Sequence, residues 1–191
     1  MQKAGIPMMD TYLTYALSTV TFESLTIWVV FALVSFLISY TFYRKGKLRL
    51  SSCFALALLL FYISFMLSIT IFERIATPYA RYELVLFWSY RLIAEGDKNS
   101  FFELFWNIVL FAPFGLLGSI VFQKRNKLPV LGSGILFSII IELSQLFTHR
   151  GLFDFDDIIH NTVGTLIGIV ACLVIGALIS RVESRVDIQT S

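Results

Sequence analysis

Charge is scarce in this chain. Of its 191 residues only 15% are Asp, Glu, Lys or Arg, against roughly 25% in soluble globular domains. Cysteine is nearly absent. Cys53 and Cys172 sit singly in apolar runs, without CxxC or CxxH context, which excludes a disulfide scaffold and a zinc pair. The composition likewise excludes disorder, collagen and coiled coil. The sequence contains no HExxH, GxSxG or DxDxDG pattern. A formal net charge of +2 gives no basic excess for nucleic acid. What abounds is apolar: 57% of residues are hydrophobic and 16% aromatic, with a mean hydropathy of +0.79.

The apolar excess is concentrated. A bilayer core of about 30 Å takes about 20 apolar residues of helix, and five runs reach that length: Ser24–Tyr43, Cys53–Phe72, Glu103–Phe122, Pro129–Thr148 and Ile158–Ile179. The longest stretch between runs, Glu73–Phe102, is shorter than the about 40 residues an unstapled domain needs. No soluble catalytic domain is present. The expected fold is all-α: a polytopic integral membrane helical bundle of about five transmembrane helices. Residues 1–23 form an outer segment, 24–72 two generic helices, 73–102 an outer interfacial loop, 103–179 a three-helix core, and 180–191 a cytoplasmic tail. The first run is too long and too late for a cleaved signal peptide.

Lys and Arg in short loops set orientation. Arg44, Lys45, Lys47 and Arg49 in the first loop, Lys124, Arg125 and Lys127 in the third, and Arg181 and Arg185 in the tail form the denser set. Lys3, Arg74, Arg81, Arg91, Lys98 and Arg150 are spread over longer segments on the other side. This predicts an outer N-terminus and a cytoplasmic C-terminus, with Trp28, Trp88 and Trp106 near the outer face.

Polar residues inside hydrocarbon are costly and mark candidate sites. At about 1.5 Å per residue, Asn107 lies about 6 Å, Glu142 about 9 Å and Asn161 about 5 Å below the outer ends of their runs. Three helices thus bring polar groups to nearly one depth. Ser138, Glu142, Gln145 and His149 share one helical stripe; so do Asp157, Asn161, Gly164 and Gly168, and Glu103, Asn107, Gly115 and Gly118. The glycines are read as packing positions, with Gly164 and Gly168 forming a GxxxG. Between the fourth and fifth runs, His149–Asp157 holds one arginine and three aspartates. Asp154 or Asp156 is expected to cap the following helix, and Asp157 to face a pocket. Arg150 is expected to pair with an aspartate or Glu142, or to contact a ligand. His160, off the stripe, reads as packing.

Asn107 through Pro113 to Gly115, Glu142-Leu-Ser-Gln145, and Arg150 through Asp154, Asp156, Asp157 and Asn161 to Gly164 and Gly168 resemble, in order, the motif blocks of the VanZ-like family. Tyr82–Arg91 is similar to a preceding block, with Glu83 and Leu86 where members often carry Asn and Pro. The first two runs resemble only generic apolar helix. The resemblance implies a multi-pass protein of the bacterial cytoplasmic membrane, of a family associated with low-level resistance to teicoplanin and related lipoglycopeptides. It assigns no reaction.

Two functions compete. In the first, Asn107, Glu142, Gln145, Arg150, Asp154, Asp157 and Asn161 bind a membrane lipid headgroup, a lipid-linked cell-wall precursor or the lipoglycopeptide itself. Pro113, Gly115, Gly164 and Gly168 pack the helices, and Arg150 suits phosphate or carboxylate. Loop 73–102, with its aromatic residues, lies at the interface as a lid or anchor. In the second, the chain is an intramembrane enzyme acting on a lipid or peptidoglycan intermediate, with Glu142 and Asp157 as acid and base or as metal ligands. Glu142, Asp154, Asp156, Asp157, His149 and His160 are ligand types, but the spacing carries no metal motif, so no metal and no cofactor are expected. A transporter ranks last, because no inverted repeat or midplane polar residue is visible.

Overall fold

A computed structural model of the chain describes residues 21–122 and 126–190. Its elements are α1 (Phe22–Arg44), α2 (Leu50–Leu67, continued by a π-helical turn over Ser68–Phe72), β1 (Tyr82–Glu83), α3 (Trp88–Ala94), α4 (Lys98–Val121), α5 (Leu128–Thr148), β2 (Phe153–Asp154) and α6 (Phe155–Thr190). Among the described residues five helical segments are long and apolar enough to cross a membrane: Leu25–Arg44, Leu50–Phe72, Lys98–Val121, Leu128–Thr148 and Phe155–Arg185. The fold is an all-α bundle. Alternating spans place the 73–97 and 149–154 connections at one end and the 45–49 connection, Phe122 and Lys127 at the other. Lys3 with most of the expected segment 1–23, and Lys124 and Arg125 from the orientation argument, lie outside the described residues.

Several helices begin earlier than the apolar runs do, and at α4 a cap rather than hydropathy sets the boundary. Asp97 accepts from the Asn99 N–H (3.2 Å) and the Ser100 hydroxyl (2.9 Å), and α4 therefore starts at Lys98 instead of Glu103. The 73–102 stretch is not simply a loop. It carries α3, and β1 pairs in parallel with β2, Tyr82 opposite Phe153 and Glu83 opposite Asp154.

The most extensive interface joins α4 to α6, and small residues make it possible. A Cβ on Gly115 would run into the Thr165 carbonyl. One on Gly164 would meet the Ile108 carbonyl, and one on Gly168 the Ala112 carbonyl. Such approach lets two backbones pack without intervening side chains. Around this crossing, Phe111, Met66 and Ile141 are fully buried, and Phe114 stacks on Phe137 with centroids 5.4 Å apart. Pro113 continues α4 without an N–H of its own; nearby, the Leu110 carbonyl takes the Tyr62 hydroxyl (2.7 Å). Outer apolar side chains such as Phe31, Leu37 and Leu178 are exposed, as lipid-facing positions require.

Gly115→Ala and Gly168→Ala should each destabilise the bundle by about 1–3 kcal/mol through overpacking. Gly176→Ala, where an added Cβ meets nothing within 4 Å, should be neutral. Thermal unfolding in detergent checks the contrast, and equal effects at all three positions would refute it.

Candidate functional site

Helix ends expose unpaired backbone groups, and most polar side chains at the 73–97 end serve them. At the end of α2, Gln145 Nε2 donates to the Thr70 carbonyl (3.1 Å) and Arg150 Nη1 to the Phe72 carbonyl (2.6 Å). A cation there also suits the negative end of the helix dipole. Asp154 caps α6: its Oδ1 accepts the Asp156 N–H (2.8 Å), while its Oδ2 takes the Trp88 indole N–H (2.7 Å). Asp156 reaches back to α3, accepting from the Phe87 N–H (2.6 Å), the Ser89 N–H (3.2 Å) and the Ser89 hydroxyl (2.7 Å). It thereby holds Phe87 at a φ of 62°, a left-handed conformation uncommon for a non-glycine residue. Glu142 Oε2 in turn accepts the Asp154 N–H (3.0 Å). Burial pushes the Asp154 carboxyl above the usual carboxylate range. The Asp156 N–H and the Trp88 indole oppose that shift, and the charges of Asp156 and Glu83 add to it.

Beneath these caps lies a cavity of about 20 Å³ between the end of α2 and helices α4, α5 and α6. Asn107, Glu142, Gln145, Asp157 and Asn161 line it, together with Thr70 and Arg74. Asn107 Nδ2 donates to Asp157 Oδ1, and Asn161 Nδ2 to the Ser138 hydroxyl (2.9 Å). Glu142, Gln145 and Asn161 are almost fully buried. Arg74 supplies the positive charge that both carboxylates feel.

The structure therefore brings five of the seven candidate residues to one cavity and separates two. Among the described residues Arg150 does not line it and makes no hydrogen bond to an aspartate or Glu142; the left-handed His149 (φ 57°) turns the chain so that Arg150 caps α2. Asp154 sits behind Glu142 as a helix cap. The cation at the cavity is Arg74, which sequence reasoning used only for orientation. Its signal was its place just beyond the last apolar residue of the second run, at the same end of the bundle as Asn107. His160 is buried and shares a 2.9 Å hydrogen bond with the Tyr90 hydroxyl. Trp28 is buried too, donating to the Ser68 hydroxyl (3.2 Å), and so is tied to protein and not only to an interface. Among the described residues no three His, Cys, Asp or Glu side chains group as a metal-ligand cluster.

Asp156→Ala should strand three donors and loosen α3. Amide exchange across Phe87–Ala94 should rise roughly 10- to 100-fold, the effect of about 1–3 kcal/mol, while the bundle stays protected. Gly151 sits at a φ of 149°, and a Cβ there would lie 2.9 Å from Arg74 Nη1 and 3.0 Å from Gln145 Oε1. Gly151→Ala should thus cost about 1–3 kcal/mol in thermal unfolding, and a neutral result would refute both the backbone strain and the close contacts at this position.

Comparison with known proteins matches residues 50–176 to the family described as VanZ/LLP1. The match begins with the first residue of α2, so this helix, generic by sequence, lies inside the family region. Protein VanZ of Enterococcus faecium is 34% identical over 71 residues, covering 37% of this chain and 44% of that protein. The chain thus spans less than half the length of that relative. No solved structure matches it. With the family match running from α2 into α6 and taking in every residue of the cavity, the chain belongs to the VanZ/LLP1 family.

Proposed function

We propose that this protein works at the outer face of the bacterial cytoplasmic membrane, N-terminus outside, where its polar cavity engages the polar head of a membrane lipid or lipid-linked cell-wall precursor. Through that contact it lowers susceptibility to teicoplanin-type lipoglycopeptides. The family supplies the envelope role. The carrying observation is the convergence of Asn107, Glu142, Gln145, Asp157 and Asn161 with Arg74 on one buried cavity. At about 20 Å³ the cavity admits one small group, so the rest of a headgroup or of the antibiotic lies outside it. Exposed Tyr79, Tyr82 and Phe87 on the adjoining 73–97 segment offer amphipathic cover there.

A second reading, an intramembrane enzyme with Glu142 and Asp157 as acid and base, is favoured by their sharing that cavity. Turnover of labelled lipid by the wild type and not by Glu142→Gln would put it first.

Native mass spectrometry of the protein in mild detergent tests the binding reading. The wild type should retain a phospholipid or wall precursor, and Glu142→Gln and Asn161→Ala should lose both that ligand and teicoplanin tolerance at normal membrane abundance. Arg74→Gln should fail likewise. Arg150→Lys should stay within about threefold of wild type, since a lysine can also cap α2. Retention of the ligand by all variants would overturn the reading.

A further inference from the structure

We propose that the cavity bounded by Glu142, Gln145, Asp157 and Asn161 is a binding site for one hard, oxygen-seeking metal cation. The starting point is two amide oxygens. Gln145 and Asn161 are each 3% exposed, both line the cavity, and among the described residues Gln145 Oε1 and Asn161 Oδ1 accept no hydrogen bond. The orientation of Gln145 is forced. Its Nε2 donates to the Thr70 carbonyl, which can only accept, so the reverse orientation would set two acceptors face to face. A buried carbonyl oxygen without a donor is destabilising, and here the two belong to residues that line one cavity.

Charge then selects among ligands. Glu142 and Asp157 bring two carboxylates to a cavity whose lining contains one cation, Arg74. Uncompensated buried charge is far more costly than an unpaired carbonyl. A water would satisfy the amide oxygens but add no charge. A metal cation does both. Each carboxylate has one oxygen committed to a donor, Glu142 Oε2 to the Asp154 N–H and Asp157 Oδ1 to Asn107. With the two amide carbonyls, the second oxygens would supply an all-oxygen set of the kind that holds calcium or magnesium, or sodium by the same chemistry. Zinc prefers nitrogen and sulfur. The volume of about 20 Å³ suits one ion with at most a water or two, given about 10–15 Å³ for each water.

The ligands stand on α5 and α6, whose facing ends are fixed by the caps of Gln145 on Thr70 and Asp154 on Asp156. Such a site is assembled by folding rather than by the ion. A bound cation would also supply the positive charge that a phosphate-bearing head needs beside two carboxylates. That link rests on the proposed headgroup reading; the ion site does not.

The test uses the full chain in detergent, stripped of lipid and treated with chelator, then held in choline chloride at constant ionic strength. CaCl2, MgCl2 and NaCl are added separately, followed by thermal unfolding and isothermal titration calorimetry. One of the three should raise the unfolding temperature saturably with a stoichiometry of one, and thereby identify the ion. Glu142→Gln and Asp157→Asn, close in shape to the wild type, should weaken that affinity at least tenfold; Gly176→Ala should leave it unchanged. No saturable response of the wild type to any of the three salts would overturn the site, as would wild-type affinity in both carboxylate variants. Ion binding by protein that retains no lipid in native mass spectra would remove the headgroup reading and leave the ion site standing. Lipid retention without an ion response would do the reverse.

Discussion

Every helix that ends in an apolar medium leaves backbone N–H and C=O groups that no water can satisfy. The arrangement of polar residues in this protein follows from that constraint. Gln145 and Arg150 close the end of α2, Asp154 the start of α6, Asp156 the start of α3 and Asp97 the start of α4. At the opposite end Lys127 Nζ donates to the Ser119 and Phe122 carbonyls (2.8 and 2.7 Å), which terminate α4. An aspartate-rich loop that looks chemical in sequence is largely a set of caps that fasten helices to one another.

Removing this structural duty from the polar inventory leaves a smaller group. Asn107, Glu142, Asp157, Asn161, Arg74 and the carbonyl side of Gln145 are not explained by helix termination alone, and they border one cavity. Glu142 belongs to both groups, since it accepts the Asp154 N–H while lining the cavity. The caps and the cavity are therefore mechanically linked: β2 and the start of α6 hang on the same carboxylate that faces the interior. The 73–97 segment joins that linkage through Trp88 and Ser89.

Packing explains why the cavity sits where it does. The glycine crossing of α4 and α6 brings the two backbones into contact below the polar layer. The aromatic cluster of Phe111, Phe114 and Phe137 seals the α4 and α5 side. Above the crossing, Asn107, Asp157 and Asn161 occupy positions where glycines would otherwise continue the stripe. The same helical period that packs the interior thus aims the polar residues at a common point.

The sequence by itself determined the number of spans, the all-α class, the family and the depth at which polar residues cluster, because hydropathy and the 3.6-residue period are local properties. Asn107, Glu142, Gln145, Asp157 and Asn161 were legible as one cluster for that reason: each lies on its helix's stripe near the same end. Which cation serves them was not legible. Arg74 and Arg150 both follow apolar runs at that end, and only the path of the chain after His149 sends Arg150 to the Phe72 carbonyl while Arg74 lines the cavity. Asp157 was already read as the pocket residue, and it lines the cavity; the division between Asp154 as own-helix cap and Asp156 as neighbour-helix cap was equally invisible. It depends on where α3 and α4 lie against α6, a matter of long-range packing that no spacing within a nine-residue loop encodes.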